Sequence, residues 1–124
     1  MILRFAGGRD METSYAAWRL NTPTPYSIVC LTKARVAKLP MPIWVEFLDQ
    51  HPKFKSAFEY QVMRLMSEIM AHTITLHLLD GPGRVHRFER KHPDFAERIP
   101  KKELASYLNL SAETLSRLKQ RGKI

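Results

Sequence analysis

The chain has 124 residues, 44% of them hydrophobic and 26% charged, so it can bury the core of one domain or of two small units joined by a helix. Its net charge of +8 favours a polyanionic partner, although a solvated basic surface would give the same value. The single cysteine, Cys30, excludes an intrachain disulfide and a cysteine-based metal site, and the lack of a long apolar run excludes a membrane span.

Residues 1–40 are predicted to form β-strands and loops. The short apolar run Ile2–Phe5 comes first, and the proline-rich stretch Asn21–Pro25 forms a rigid extended connector. Two strands are predicted to follow, Tyr26–Leu31 and Arg35–Leu39. So few strands cannot make a stable sheet alone, and we therefore expect them to be the end of a larger β domain.

Residues 41–79 are predicted to be helical. Pro42 suits the first turn of a helix over Ile43–Gln50, and a long helix nearly free of Gly and Pro runs from about 53 to 79. Alternating steps of four and three residues along the long helix form a heptad seam, which predicts a dimerisation helix. The seam consists of Phe58, Val62, Leu65, Ile69, His72, Leu76 and Leu79.

The long helix has a second apolar face, formed by Met63, Met66, Met70 and Ile74. A helix that is apolar on two faces must bury both, so we expect the seam to meet a second copy in a parallel homodimer and the second face to pack on the β unit. The alternative is a single helix inside an intrachain core. His72 has no metal-ligand spacing around it, and we interpret it as a residue that sets register rather than as a metal ligand or a pH switch.

Residues 80–124 are predicted to form a DNA-binding unit. Asp80 suits the N-cap of a helix that ends near Lys91, and a short turn, Asp94–Arg98, follows. The segment Pro100–Ile124 then has the pattern of a helix-turn-helix, in which a small residue lies where the helices cross and the corner residue tolerates a left-handed backbone. The small residue is Ala105, the corner residue is Asn109, the cap of the second helix is Ser111, and the core residues are Leu104, Leu108, Leu110, Leu115 and Leu118.

The second helix, about 111–121, is expected to enter the major groove of double-stranded DNA. Its exposed side would read base edges, because a carboxylate can accept from cytosine and a guanidinium can bind guanine with two hydrogen bonds. The proposed base-reading residues are Glu113, Ser116, Arg117 and Gln120. The residues expected to bind phosphate without specifying sequence are Lys101, Lys102, Ser111, Thr114, Lys119 and Arg121.

The pattern therefore favours a homodimeric, sequence-specific transcription regulator of the cytoplasm, with no cofactor, no metal and no membrane partner. A non-DNA-binding dimerisation or adaptor module, derived from a ligand-sensing regulator, stays open as the alternative. We do not expect an enzyme, because the sequence has no nucleophile–base pairing, P-loop, metal-ligand spacing or glycine fingerprint.

Several segments resemble the cyclic-AMP receptor protein/fumarate-nitrate regulator family of transcription regulators. Leu79–Val85 is similar to that family's hinge, where Asp80 would cap the first helix of the DNA-binding domain. Ile99–Ala105 and Ser111–Arg117 resemble its helix-turn-helix. The resemblance implies that RNA polymerase is a candidate partner.

The resemblance also predicts differences in ligand and operator. The family reads bases with Arg, Glu and Arg, and the matching residues here are Ala112, Glu113 and Arg117, so we expect a different site sequence. Segments Gly8–Tyr15 and Thr24–Ile28 resemble its phosphate-binding cassette. Tyr26-Ser27 stands where Arg-Ser or Arg-Thr would be, and a cyclic phosphate without a guanidinium is disfavoured, so we expect no cyclic-nucleotide binding.

The predicted fold class is α+β and mostly α. It has a partial cyclic-nucleotide-binding-like β-roll in residues 1–40, helices including the dimerisation helix in residues 41–79, and a helix-turn-helix domain in residues 80–124. The front half of a β-roll does not precede these strands, so we expect a fragment, a late translation start or a reduced regulator.

Overall fold

The computed structural model describes residues 1–124 and contains seven helices and no β-strand. The helices are α1 (Tyr15–Arg19), α2 (Met41–Gln50), α3 (Pro52–Leu78), α4 (Gly81–Lys91), α5 (Pro93–Ala96), α6 (Lys101–Tyr107) and α7 (Ala112–Gln120). No helix combines the length and the apolarity that crossing a bilayer requires. The fold is all-α.

The predicted β-roll remnant in residues 1–40 is wrong, and with it the α+β class. Tyr26–Leu31 and Arg35–Leu39 form no strand, and nearly all of their side chains are exposed. A strand needs a neighbour to take its backbone hydrogen bonds, and these segments have none. Within residues 1–40 the regular structure is instead α1, a helix that the sequence analysis did not predict.

Proline and capping residues set the helix boundaries close to the predicted ones. Pro42 lies in the first turn of α2 and Pro52 opens α3, positions where the missing N–H costs no intrahelical hydrogen bond. Asp80 caps α4, since its Oδ1 accepts a 2.9 Å hydrogen bond from the Gly83 amide. This cap is confirmed, whereas the role of Asp80 as a hinge stays a prediction.

The chain divides into two compact units, one formed by Ala6–Ser67 and the other by Met1–Phe5 with Glu68–Ile124. The first of them has an aromatic core. The ring of Phe58 is buried there, and it meets the rings of Tyr15 and Trp44 edge-on, with centroids 5.1 and 5.5 Å away. These contacts join α1, α2 and α3 within that unit.

The second unit contains α4 to α7 around a core that also includes the N-terminal segment. The ring of Phe5 lies 4.9 Å from that of Tyr107 and 6.1 Å from that of Phe88, between centroids. Gly81 allows the start of α4 to approach α7, because a Cβ there would lie 3.3 Å from a methyl group of Leu118. The buried core residues are Val85, Phe88, Leu104, Ala105, Tyr107, Leu108 and Leu115.

The two apolar faces of α3 have different surroundings from those predicted. The face of Met63, Met66, Met70 and Ile74, expected to pack on a β unit, is exposed, because no β unit exists to cover it. The predicted seam is covered in part by the chain itself. On the seam, Phe58 and His72 are buried, Val62, Leu65, Ile69 and Leu76 are half-buried, and Leu79 is 37% exposed.

Candidate nucleic-acid interface

Helix α6 ends in a Schellman motif that turns the chain towards α7. The amide of Asn109 donates to the Ser106 carbonyl at 3.1 Å, and the amide of Leu110 donates to the Ala105 carbonyl at 2.8 Å. Asn109 has a φ of +54°, in the left-handed region that asparagine tolerates better than most residues. The predicted left-handed corner is confirmed, and we refer to residues 108–110 as the corner.

The two helices that meet at the corner share one core. Ala105 is only 2% exposed and lies in the same buried cluster as Leu108 and Leu115. A methyl group at this position lets the neighbouring helix approach closely, which a larger side chain would prevent. Leu110 and Leu118 are half-buried beside it. The predicted small crossing residue and leucine core are therefore confirmed as a packed unit.

A hydroxyl pair caps the start of α7. The Ser111 hydroxyl oxygen accepts from the Thr114 amide at 3.0 Å, and the same hydroxyl donates to the Thr114 hydroxyl oxygen at 2.8 Å. The proton of Ser111 is thus used within the cap, while the Thr114 hydroxyl proton can still be donated to an outside acceptor. Of the two hydroxyl groups among the residues proposed to bind phosphate, that of Thr114 is the better placed as a donor.

The four proposed base-reading residues lie on one side of α7. A helix advances about 100° per residue, so positions 113, 116, 117 and 120 project away from Leu115 and Leu118, which face the core. Ser111 and Ala112 are exposed at the start of the same helix. The residues that the structure brings together on this exposed side are Glu113, Ser116, Arg117 and Gln120.

The basic residues proposed for phosphate binding flank this surface and are all exposed. Lys101 and Lys102 occupy the first turn of α6, where positive charge opposes the helix dipole. The helix dipole therefore does not explain their position. Lys119 and Arg121 lie at the end of α7, where the dipole favours positive charge.

Comparisons with protein-family models, curated proteins and solved structures find no match. No group of three or more His, Cys, Asp or Glu residues is arranged to hold a metal ion.

The N-terminal segments Gly8–Tyr15 and Thr24–Ile28 are joined by a hydrogen bond. The Tyr26 hydroxyl donates to the Thr13 carbonyl at 2.6 Å, and the Gly7 amide donates to a carboxylate oxygen of Asp10 at 2.7 Å. The Tyr26 hydroxyl is thus held by the chain itself.

Arg84 is a residue that the sequence analysis did not select. Its guanidinium donates to three backbone carbonyls: Nε to Leu79 at 2.9 Å, Nη2 to Leu76 at 2.8 Å and Nη1 to Leu108 at 3.2 Å. A basic residue just after a helix end is a weak signal for such carbonyl contacts. The meeting of two helix ends, which makes this contact specific, follows only from the tertiary structure.

His72 contacts the same region from α3. It is 6% exposed, and its Nε2 donates to the Tyr107 carbonyl at 2.8 Å, which requires the tautomer with the proton on Nε2. Burial lowers the pKa of His72, the hydrogen bond to Tyr107 opposes that effect, and the positive charge of Arg87 adds to it. The lowered pKa favours the neutral form of the imidazole.

Proposed function

We propose that this chain binds double-stranded DNA sequence-specifically and regulates transcription, with α7 in the major groove. The observation that carries the proposal is the corner between α6 and α7. A left-handed Asn109, a buried Ala105 and a capped second helix together meet the steric needs of a helix-turn-helix. The similarity of Ile99–Ala105 and Ser111–Arg117 to the cyclic-AMP receptor protein/fumarate-nitrate regulator family supports the same proposal.

The chemistry of the exposed side of α7 fits the reading of base edges. The Arg117 guanidinium can donate to both N7 and O6 of guanine, and the Glu113 carboxylate can accept from N4 of cytosine. The two residues are four apart, so they project from the same side and can reach neighbouring base pairs. Ala112, at the position of the family's first arginine, offers no polar group, and we expect an operator that differs there.

The positive charge around α7 supports a polyanionic partner. Arg117, Lys119, Arg121 and Lys123 are exposed within or just beyond the helix, with no acidic residue among them. Each basic side chain that neutralises a phosphate releases counterions, which supplies sequence-independent affinity that weakens with salt. The base-reading side chains would then select among sequences.

We propose a second copy of the chain as a partner, in contact with the exposed apolar face of α3. That face contains Met63, Met66, Met70 and Ile74, each more than half exposed. Contiguous exposed apolar surface of this kind marks an interaction site more often than a free surface. A homodimer would also provide the second recognition helix that two half-sites need. Contact with RNA polymerase stays a prediction from the resemblance.

The experiment that tests the proposal is a salt titration of binding to labelled random-sequence duplex. We expect the logarithm of the affinity to fall linearly with the logarithm of the salt concentration. Lys101→Ala should reduce the slope by about one unit, and Lys53→Ala, a matched loss of charge at an exposed residue of α3, should leave it unchanged. Failure of the unaltered protein to bind duplex at low salt would favour the adaptor module instead.

A further inference from the structure

Side chains bind the carbonyl of the last residue of α6, Tyr107, and that of its C-cap, Leu108. The Schellman motif uses the carbonyls of Ala105 and Ser106, so those of Tyr107 and Leu108 have no backbone donor. Tyr107 and Leu108 are both buried, and a buried carbonyl without a partner is unfavourable. The end of α6 therefore depends on donors from elsewhere in the unit.

His72 and Arg84 supply these donors from opposite sides of the break between α3 and α4. His72, near the end of α3, donates to the Tyr107 carbonyl at 2.8 Å. Arg84, in the first turn of α4, donates to the Leu108 carbonyl at 3.2 Å. Two consecutive carbonyls, at the end of α6 and the start of the corner, are thus held by two side chains.

Arg84 also binds the end of α3, through the carbonyls of Leu76 and Leu79 at 2.8 and 2.9 Å. One planar guanidinium therefore joins two helix ends, and its donors have fixed directions that a lysine ammonium lacks. His72 adds a second link between the same two elements, because its ring stacks on that of Tyr107 with centroids 3.7 Å apart.

We propose that Arg84 and His72 are positioning residues of the DNA-binding surface, which fix the corner, and with it the direction of α7, to the C-terminal end of α3. The inference rests on the DNA-binding function proposed above. We do not expect either residue to touch DNA, because both act through backbone carbonyls at the end of α6 and at the corner. A displacement of the end of α3 would consequently change the presentation of Glu113 and Arg117.

The test compares four variants with two matched controls. Arg84→Gln removes the guanidinium, and Arg84→Lys keeps the charge without the planar set of donors. His72→Leu removes the donor, and His72→Gln keeps an N–H near the position of Nε2. The controls are Arg90→Gln and His77→Gln, which change exposed residues of α4 and α3.

The first readout is amide hydrogen exchange without DNA at Asn109 and Leu110, with the amides of α4 as internal reference for general stability. We expect Arg84→Gln and His72→Leu to speed exchange at the corner by about tenfold relative to α4, the effect of losing one hydrogen bond. His72→Gln should restore most of the protection, Arg84→Lys should be intermediate, and the controls should match the unaltered protein.

The second readout is the ratio of affinities for a selected duplex and for random duplex. A change in the direction of α7 should reduce this ratio by about tenfold. The salt slope should stay unchanged, because the phosphate-binding residues are retained. Corner exchange that is unchanged, or that rises equally throughout the unit, would overturn the positioning role. A variant with faster amide exchange at the corner but an unchanged preference for the selected duplex would also overturn the positioning role.

The two proposals fail in different ways. If the unaltered protein shows no sequence preference, the DNA-binding function is overturned and the positioning of α7 for DNA falls with it. The exchange data, collected without DNA, would still decide whether His72 and Arg84 hold the corner. Should Arg84→Gln not fold, Arg84→Lys and His72→Gln provide the same comparison with smaller changes.

Discussion

The imidazole of His72 lies parallel to the ring of Tyr107, with the two planes 1° apart and the ring centroids separated by 3.7 Å. The imidazole is almost completely buried, and burial lowers its pKa from 6.5. The positive charges of Arg87 and Arg84, and His92 when it is charged, lower it further. These effects on the pKa favour the neutral form of His72 in the stack.

We predict that the protein loses stability in mild acid through His72. The pKa is lower in the folded chain than in the unfolded one, so the unfolded chain takes up the proton first. The contribution of neutral His72 to the free energy of unfolding is complete above about pH 6.5. It is lost as the pH falls from there towards the lower pKa of His72 in the folded chain. Urea unfolding at several pH values should show a weaker pH dependence for His72→Gln than for the unaltered protein.

His92→Gln is the comparison for this experiment, because burial also lowers the pKa of His92. Each substitution should remove part of the acid sensitivity, and the double variant should remove more than either alone. Identical pH dependence in His72→Gln and the unaltered protein would show that the buried imidazole is not the group that titrates.

The left-handed backbone of Asn109 leads to a prediction for the corner. Asn109→Val should destabilise the protein by roughly 1–3 kcal/mol, because a β-branched residue is strained at positive φ. Asn109→Gly should be close to neutral, since glycine adopts this conformation readily. Chemical denaturation measures both, and equal losses for the two variants would contradict a conformational role.

The cap of α7 predicts opposite effects for two serines. Ser111→Ala should cost about 1 kcal/mol of stability, because the amide of Thr114 loses its acceptor. Ser116→Ala, an exposed change on the same helix, should alter stability by less than about 0.5 kcal/mol but weaken the preference for the selected DNA site. Thermal unfolding and duplex titrations would separate the two effects. A stability loss in Ser116→Ala as large as in Ser111→Ala would contradict this assignment.

The exposed face of α3 predicts how the protein associates. Met70→Glu combined with Ile74→Glu should give a monomer in sedimentation experiments, since association would bury like charges against each other. Gln61→Glu, at an exposed position on another side of α3, should leave the dimer intact. A monomeric unaltered protein, or a dimer that survives both charges, would contradict the proposed interface.

Most of the helical structure, but not α1, could be predicted from local signals. Prolines at 42 and 52, the Asp80 cap and the Ser111 cap mark boundaries through interactions within a few residues of the chain. The corner at Asn109 could be predicted for the same reason, because a left-handed backbone restricts the residue type locally.

Two errors have a common physical cause. Tyr26–Leu31 has the composition of a strand, but a strand forms only with a partner, and no local signal supplies one. The faces of α3 are both apolar, so the pattern could not tell which of Leu65 and Met66 would be covered. The contacts of Arg84 likewise depend on two helix ends that lie far apart in the sequence.

Selection of binding sites from random duplex DNA, by the unaltered protein and by Arg117→Ala, tests most directly whether α7 reads DNA. We predict a two-fold symmetric consensus for the unaltered protein. Arg117→Ala should cost roughly 1–3 kcal/mol on that site and lose the preference at one base pair of each half-site. If no consensus emerges, or if the variant binds every sequence more weakly and selects the same consensus, α7 is not the element that reads DNA.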